Sequence, residues 1–230
     1  MNAINRTALP AIGTPFEGGF FAGLFALNGE TYGLIVSPRT EGELEETRWG
    51  EYRQDISARS YNDGMANTTA MAQAGSDLGR WMRALDINGF ADWYLPSRDE
   101  LELLYRNLKP TEQQNYCSYR DGDNPSSLPA GYPYTEESPA RTTCTAFADG
   151  SEQALTPRWY WSSTQYSPLT AWVQGFGVGG QTTATRTTST ARAPSADSRS
   201  PLNQFNPFRP RAQRAVDAIF QGSRHANHHR

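Results

Sequence analysis

At 230 residues the chain is long enough for one large domain or two small ones, and a domain of that size buries a substantial core without disulfides or metals. With 20% charged residues, 20 glycines and 15 prolines it is polar and turn-rich, yet 12% aromatic residues exclude a disordered chain. A formal charge of -3 excludes the basic stripe that phosphate recognition needs, and no apolar run nears the roughly 20 residues of a membrane helix, so the chain is expected to meet no nucleic acid and to enter no membrane.

Residues 1–9 lack the basic-then-apolar pattern of a secretion signal, and residues 1–22 form a Gly/Pro-rich lead-in. Two apolar, strand-like runs follow at 23–27 and 31–37, separated by Asn28-Gly29, a dipeptide that tolerates the positive φ of tight hairpin turns. Over 65–85 the apolar side chains of Met71, Ala74, Leu78, Trp81, Met82 and Leu85 recur at spacings of three and four, which predicts one long helix docked by that face.

Ser97-Arg98-Asp99-Glu100 has the form of a capping box, so a second helix is expected to begin there. Leu101, Leu104, Tyr105 and Leu108 supply its apolar face and Pro110 ends it, because proline lacks the donor and clashes with the preceding turn. Residues 117–157 have little periodicity and many turn formers, which predicts long ordered loops. Strand patterns return at 159–164 and 171–176, with Gly177, Gly179 and Gly180 marking a turn. Residues 182–200 are a Thr/Ser/Ala/Arg tract, a candidate closing strand lies at 211–220, and His225, His228 and His229 sit in the tail.

With this order of elements in place, Asp92-Trp93-Tyr94-Leu95-Pro96-Ser97-Arg98-Asp99-Glu100-Leu101, Tyr160-Trp161-Ser162-Ser163-Thr164, Ala171-Trp172 and Gly179-Gly180-Gln181 resemble the Lcl C-terminal domain family, named after a collagen-like bacterial adhesin. The resemblance runs roughly from residue 34 to residue 181, and the opening, Leu9 to Phe21, resembles the phage-borne branch of the family. It implies an α+β, C-type-lectin-like fold over 23–181, with two helices packed on small antiparallel sheets and long ordered loops. It also implies adhesion or ligand binding rather than catalysis. Many members of that family lie in phage or prophage genomes as virion-surface proteins, so the resemblance implies a virion setting, and some are similar to the variable proteins of diversity-generating retroelements, whose targeted residues lie in the same aromatic region. One departure stands out: the family closes its sheet soon after the glycine turn with an Arg-Ala-Val-Arg strand. Here Thr190-Ala191-Arg192-Ala193 runs into Pro194, and Arg214-Ala215-Val216 comes some twenty residues later. Residues 182–230 are therefore expected to be a Thr/Ser/Pro-rich extension, either inserted before the closing strand or acting as an arm.

Trp161 lies inside an alternating strand and is expected to fill core. Tyr160, Gln165, Tyr166, Ser167, Trp172, Gln174, Phe176 and Gln181 are the candidate ligand-contact residues, since they set rigid aromatics beside adaptable polar groups. Alternation limits that set: Trp172, Gln174 and Phe176 share one face, so an inward Trp172 takes the other two with it. No metal and no cofactor are expected. The Glu/Gln-Pro-Asn/Asp loop and Trp-Asn-Asp strand of calcium-dependent lectins are missing, and Asp121-Gly122-Asp123-Asn124 reads as a turn. The only histidines are the three in the tail, which leaves no triad, and Cys117 and Cys144 lack the motifs of the lectin-like formylglycine-generating oxidases. The two cysteines can pair outside a cell or stand as free thiols.

The expectation is a non-enzymatic protein of a phage virion surface that recognises a host-surface receptor, glycan or protein, through the 160–181 region. The alternative is a capsid or tail decoration protein contacting other virion subunits. Both imply a homo-oligomer, because weak single-site contacts gain from multivalency.

Overall fold

A computed structural model of the chain describes residues 9–118, 120–188, 191–194 and 196–199. The candidate strand at 211–220 and the three histidines lie outside the described residues. Asn28 and Gly29 take φ values of 53° and 83°, as a two-residue type I′ turn requires, and they join β2 (Gly19–Leu27) to β3 (Glu30–Val36) with Leu27 opposite Glu30. A short β1 (Pro15–Phe16) pairs with the start of β2. A single-turn helix α1 (Arg39–Gly42) and β4 (Glu43–Thr47) follow the hairpin.

The expected long helix over 65–85 is two helices, α2 (Gly64–Gln73) and α3 (Asp77–Ala84). Gly75 stops α2 in the left-handed region at φ 92°, where its N–H donates to Ala72 O and the Ser76 N–H donates to Met71 O, the two bonds of a Schellman ending. Ser76 then caps α3 by accepting from the Gly79 N–H at 3.2 Å. The periodicity still marked real core positions, because Met71, Leu78 and Met82 are buried in one cluster with Trp49, Leu95, Trp161 and Val173. Spacing alone does not register a turn that returns the chain to the same core.

The capping box forms as expected at the head of α4 (Arg98–Leu108), and its residues from Asp99 to Tyr105 are all buried. The helix is central, and the described residues hold four helices rather than two.

The sheets are small and, apart from one parallel bridge between Tyr160 and Arg192, antiparallel. The first has the order β1-β2-β3-β10, with β5 (Ser127–Leu128) also on β2. The second has the order β4-β9-β6-β7-β8. Here β6 is Trp159–Gln165, β7 Thr170–Gly175, β8 Gln181–Thr185, β9 Ala191–Pro194 and β10 Ala196–Arg199. The Thr/Ser tract after 181, expected to be an extension, thus supplies strands to both sheets. β9 ends at the proline and β10 resumes on β3, so Pro194 marks the crossing rather than the end of pairing. The architecture is α+β. No helix among the described residues is long and apolar enough to cross a membrane.

Three consecutive residues enter three different core clusters. Trp93 packs with Phe21, Ile35 and Ile87, Tyr94 with Phe25, Leu104 and Phe176, and Leu95 with Trp49 and Trp161. The Tyr94 backbone exchanges two 2.8 Å hydrogen bonds with Ala196, which places the late strand β10 beside this segment.

Phe176 packs edge-on against Tyr160 and Tyr105, with ring centroids 4.7 and 5.5 Å away. Phe176→Ala is expected to lower unfolding free energy by about 3–5 kcal/mol, whereas Tyr166→Ala should change it by about 0.5 kcal/mol or less. Urea denaturation of the two variants checks this, and equal losses would mean that the two side chains share the same environment.

Candidate functional site

Five parts of the chain converge on an open cleft of about 410 Å³. The head of α4 supplies Arg98 and Asp99, β7 supplies Trp172, and Gln181 begins β8. The loop after α4 brings Ser118, Arg120, Asp121, Asp123 and Pro125, and Tyr61 comes from the segment before α2. Each is positioned by local chemistry. The Arg98 N–H donates to Thr164 Oγ1 at 3.0 Å, which ties the helix start to β6, and the Asp99 N–H donates to Tyr61 O at 2.9 Å.

Trp172 is the centre of the aromatic side of the cleft. Tyr166 and Tyr61 meet it edge-on at 5.6 and 6.2 Å, and the Arg98 guanidinium carbon stands 5.0 Å from its ring and 5.4 Å from the Tyr61 ring. Such cation–π contacts favour a fixed arginine pose. Arg98 Nη1 bonds Asp99 Oδ1 at 3.1 Å and Nη2 bonds Gln181 Oε1 at 3.0 Å. Behind the cleft a chain of polar side chains continues. Gln181 Nε2 donates to Gln174 Oε1, Gln174 Nε2 to the Tyr134 hydroxyl, and Tyr134 to Glu102, which also holds Arg106 and Asn124.

Of the eight candidate contact residues, Tyr166, Ser167, Trp172 and Gln181 reach the surface, with Tyr166 56% exposed. Tyr160, Gln165, Gln174 and Phe176 are enclosed and are corrected to framework positions. The Tyr160 hydroxyl binds Thr156 and Glu43. Gln165 accepts from the Ile56 N–H and donates to Gln54 O and Ser167 O. Exposure does not follow the shared face: Gln174 is enclosed by Tyr134, to whose hydroxyl it donates, while Val173 packs in the cluster of Trp49, Leu95 and Trp161, so both are buried although Trp172 reaches the surface.

Trp161 is buried, as expected, and the hydroxyls beside it are engaged. Ser162 donates to Trp172 O, Thr164 donates to Ser60 O, and Ser163 accepts from Asn67. Reasoning from sequence missed Tyr61, Arg98, Asp99 and the 118–125 loop as cleft residues. Arg98 and Asp99 announce only a helix start, and the Asp121-Gly122-Asp123 signal is that of the turn which does form, with the Asp123 N–H on Arg120 O. Cys117 and Cys144 are free thiols. Among the described residues no group of three or more His, Cys, Asp or Glu is arranged to hold a metal ion.

Burial raises the carboxyls of Asp99 and Asp121 above their ordinary value. It is opposed at Asp99 by the Ser126 hydroxyl and Arg98, and at Asp121 by the backbone amides of Gln181 and Ser118. Burial also raises Glu100 from 4.5 to about 7, against hydrogen bonds from Ser97 and Tyr94 that favour the ionised form.

No known protein-family model matches the chain, and neither does any curated protein or solved structure. The resemblance to the Lcl C-terminal domain family rests on the motifs themselves.

Between pH 4.5 and about 7 the folded state keeps a proton on Glu100 that the unfolded chain has lost, so stability falls as pH rises through that window. The raised carboxyls of Asp99 and Glu102 act in the same direction. Glu100→Gln keeps an oxygen for the Ser97 and Gly64 amides and removes the ionisation. Its melting temperature is expected to exceed that of the wild type at about pH 8, by the equivalent of at most about 3 kcal/mol, and to converge with it near pH 4. Thermal melts across that range check this, and a gap that does not vary with pH would refute it.

Proposed function

We propose that this chain is a non-enzymatic binding module of C-type-lectin-like fold, carried on a phage virion surface, that recognises a host-surface receptor, glycan or protein, through the Trp172 cleft. The observation that carries the reading is a cleft lined by the Tyr61 and Trp172 rings, with exposed Tyr166 packed edge-on against Trp172 beside it, whose polar side chains are held from behind by a buried network. Aromatic anchors fixed before binding lose little conformational freedom on contact, and such residues dominate recognition surfaces. A particle displaying several copies gains avidity from each weak site, which is the reason for expecting a homo-oligomer. The motif resemblance supports the lectin-like frame and the virion setting.

Tyr61→Ala with Tyr166→Ala is expected to reduce attachment to host cells at least tenfold, with a melting temperature close to that of the wild type, because Tyr61 is 47% and Tyr166 56% exposed. Unchanged attachment by the folded double variant would move the contact surface elsewhere. Attachment is also expected to persist in excess EDTA, and a loss restored by calcium would overturn a metal-free site. Imaging of the particle separates the reading from its rival: a cleft open at the periphery supports attachment, and one covered by another virion subunit makes the protein a decoration element.

A further inference from the structure

Three polar atoms in residues lining the Trp172 cleft have no hydrogen-bond partner among the described residues: Asp121 Oδ2, Arg98 Nε and Trp172 Nε1. All three are enclosed, and Asp121 is only 5% exposed. The charges around them are uneven. Two arginines and three aspartates line the cleft; Arg98 pairs with Asp99 at 3.1 Å and Arg120 with Asp123 at 3.4 Å, while Asp121 has no cation at ion-pair distance among the described residues.

The residues that carry these groups are linked. Gln181 Oε1 accepts from Arg98 Nη2 at 3.0 Å and from the Gly122 N–H at 3.3 Å, which ties the guanidinium to the residue following Asp121, and Arg98 lies over the Trp172 ring. An enclosed acceptor without a donor and enclosed donors without an acceptor are costly, and native structures leave few of them. A carboxylate in such surroundings is met best by a full positive charge, through a charge-assisted hydrogen bond. The two N–H groups call for an acceptor oxygen close to that cation. A lone anion would face the surplus aspartate, and a neutral hydroxyl would leave its charge uncompensated.

We propose that the cleft binds the α-ammonium group and adjacent carbonyl or carboxylate oxygen of an amino acid, free or at the N-terminus of a polypeptide, with Asp121 taking the ammonium and Arg98 Nε and Trp172 Nε1 taking the oxygen. This rests on the reading of the cleft as the binding surface. Its volume of about 410 Å³ suits a compact group, and exposed Ser118 and Pro125 at its edge let a longer chain continue outward. The terminal torsion of an aspartate is broad, so the carboxyl can turn Oδ2 toward an occupant without moving the backbone.

The test uses the full chain at about pH 6.5, below the ordinary α-amino pKa of about 7.7–8.0, with saturation-transfer NMR and calorimetry. The probes are L-alanine, L-alanyl-L-alaninamide and its N-acetylated form, at millimolar concentration. At least one of the two amino-bearing probes is expected to bind, and N-acetylation to weaken binding at least tenfold. Binding of free alanine identifies an amino acid as sufficient, whereas binding of the dipeptide amide alone identifies a chain terminus.

Asp121→Asn keeps an oxygen for the Gln181 and Ser118 amides, so it should lose binding at least tenfold while its melting temperature stays level or rises. A merely structural carboxylate would show a fall instead. Equal binding of the acetylated probe to the wild type would overturn the proposal without recourse to any variant. If no probe binds but the Tyr61/Tyr166 double variant still loses host attachment, the amino-terminal ligand is wrong and the attachment reading stands; if the double variant also attaches normally, both fall.

Discussion

Glu100 joins elements that are distant in sequence. Its Oε2 accepts from the Ser97 N–H at 2.7 Å and the Gly64 N–H at 3.0 Å, and its Oε1 accepts from the Tyr94 hydroxyl at 2.8 Å. One carboxyl therefore serves the heads of two helices, α4 and α2, and holds the aromatic segment that precedes α4. The arrangement is favourable at helix starts, where unpaired amides and the helix dipole attract negative charge, and unfavourable in its burial. The elevated proton affinity of the group is the outcome of that contest.

From this junction the frame extends in two directions. The consecutive residues Trp93, Tyr94 and Leu95 each fill a separate cluster, so a change in their direction would disturb all three. Past them, Pro96 O accepts from the Ser163 N–H at 2.7 Å, and the Ser162–Thr164 hydroxyls bond to surrounding segments rather than facing solvent. The two motifs most conspicuous in the sequence are in this way one structural unit. They hold α4 and β6 together, and they leave recognition to residues at their margins.

The cleft is such a margin. Arg98 belongs to the capping motif by position, yet its side chain reaches out between Tyr61 and Trp172. Gln181 is held by Arg98 and Gly122 on one side and by Gln174 on the other, so the exposed surface is continuous with the buried chain that ends at Glu102. A surface supported in this way is pre-organised, which reduces the entropy lost when a partner binds.

Local signals in the chain were enough for the hairpin at Asn28-Gly29, the capping box at Ser97, the end of α4 near Pro110, and the strands on either side of 166–170, because turn chemistry, capping and alternation act over a few residues. They also indicated Tyr166, Ser167, Trp172 and Gln181 as surface groups. Other features were beyond their reach. The break at Gly75 keeps the same apolar faces directed at the core, so periodicity hides it. The strands within the Thr/Ser tract exist because β3, β4, β6 and β7 offer edges for them to pair with, and a tract of that composition carries no trace of its partners. Whether Gln174 or Phe176 meets solvent depended on what covers each face of β7, and the union of Tyr61, Arg98, Asp121 and Trp172 in one cleft depended on how segments more than a hundred residues apart are packed. Those are properties of long-range burial, which local sequence pattern does not encode.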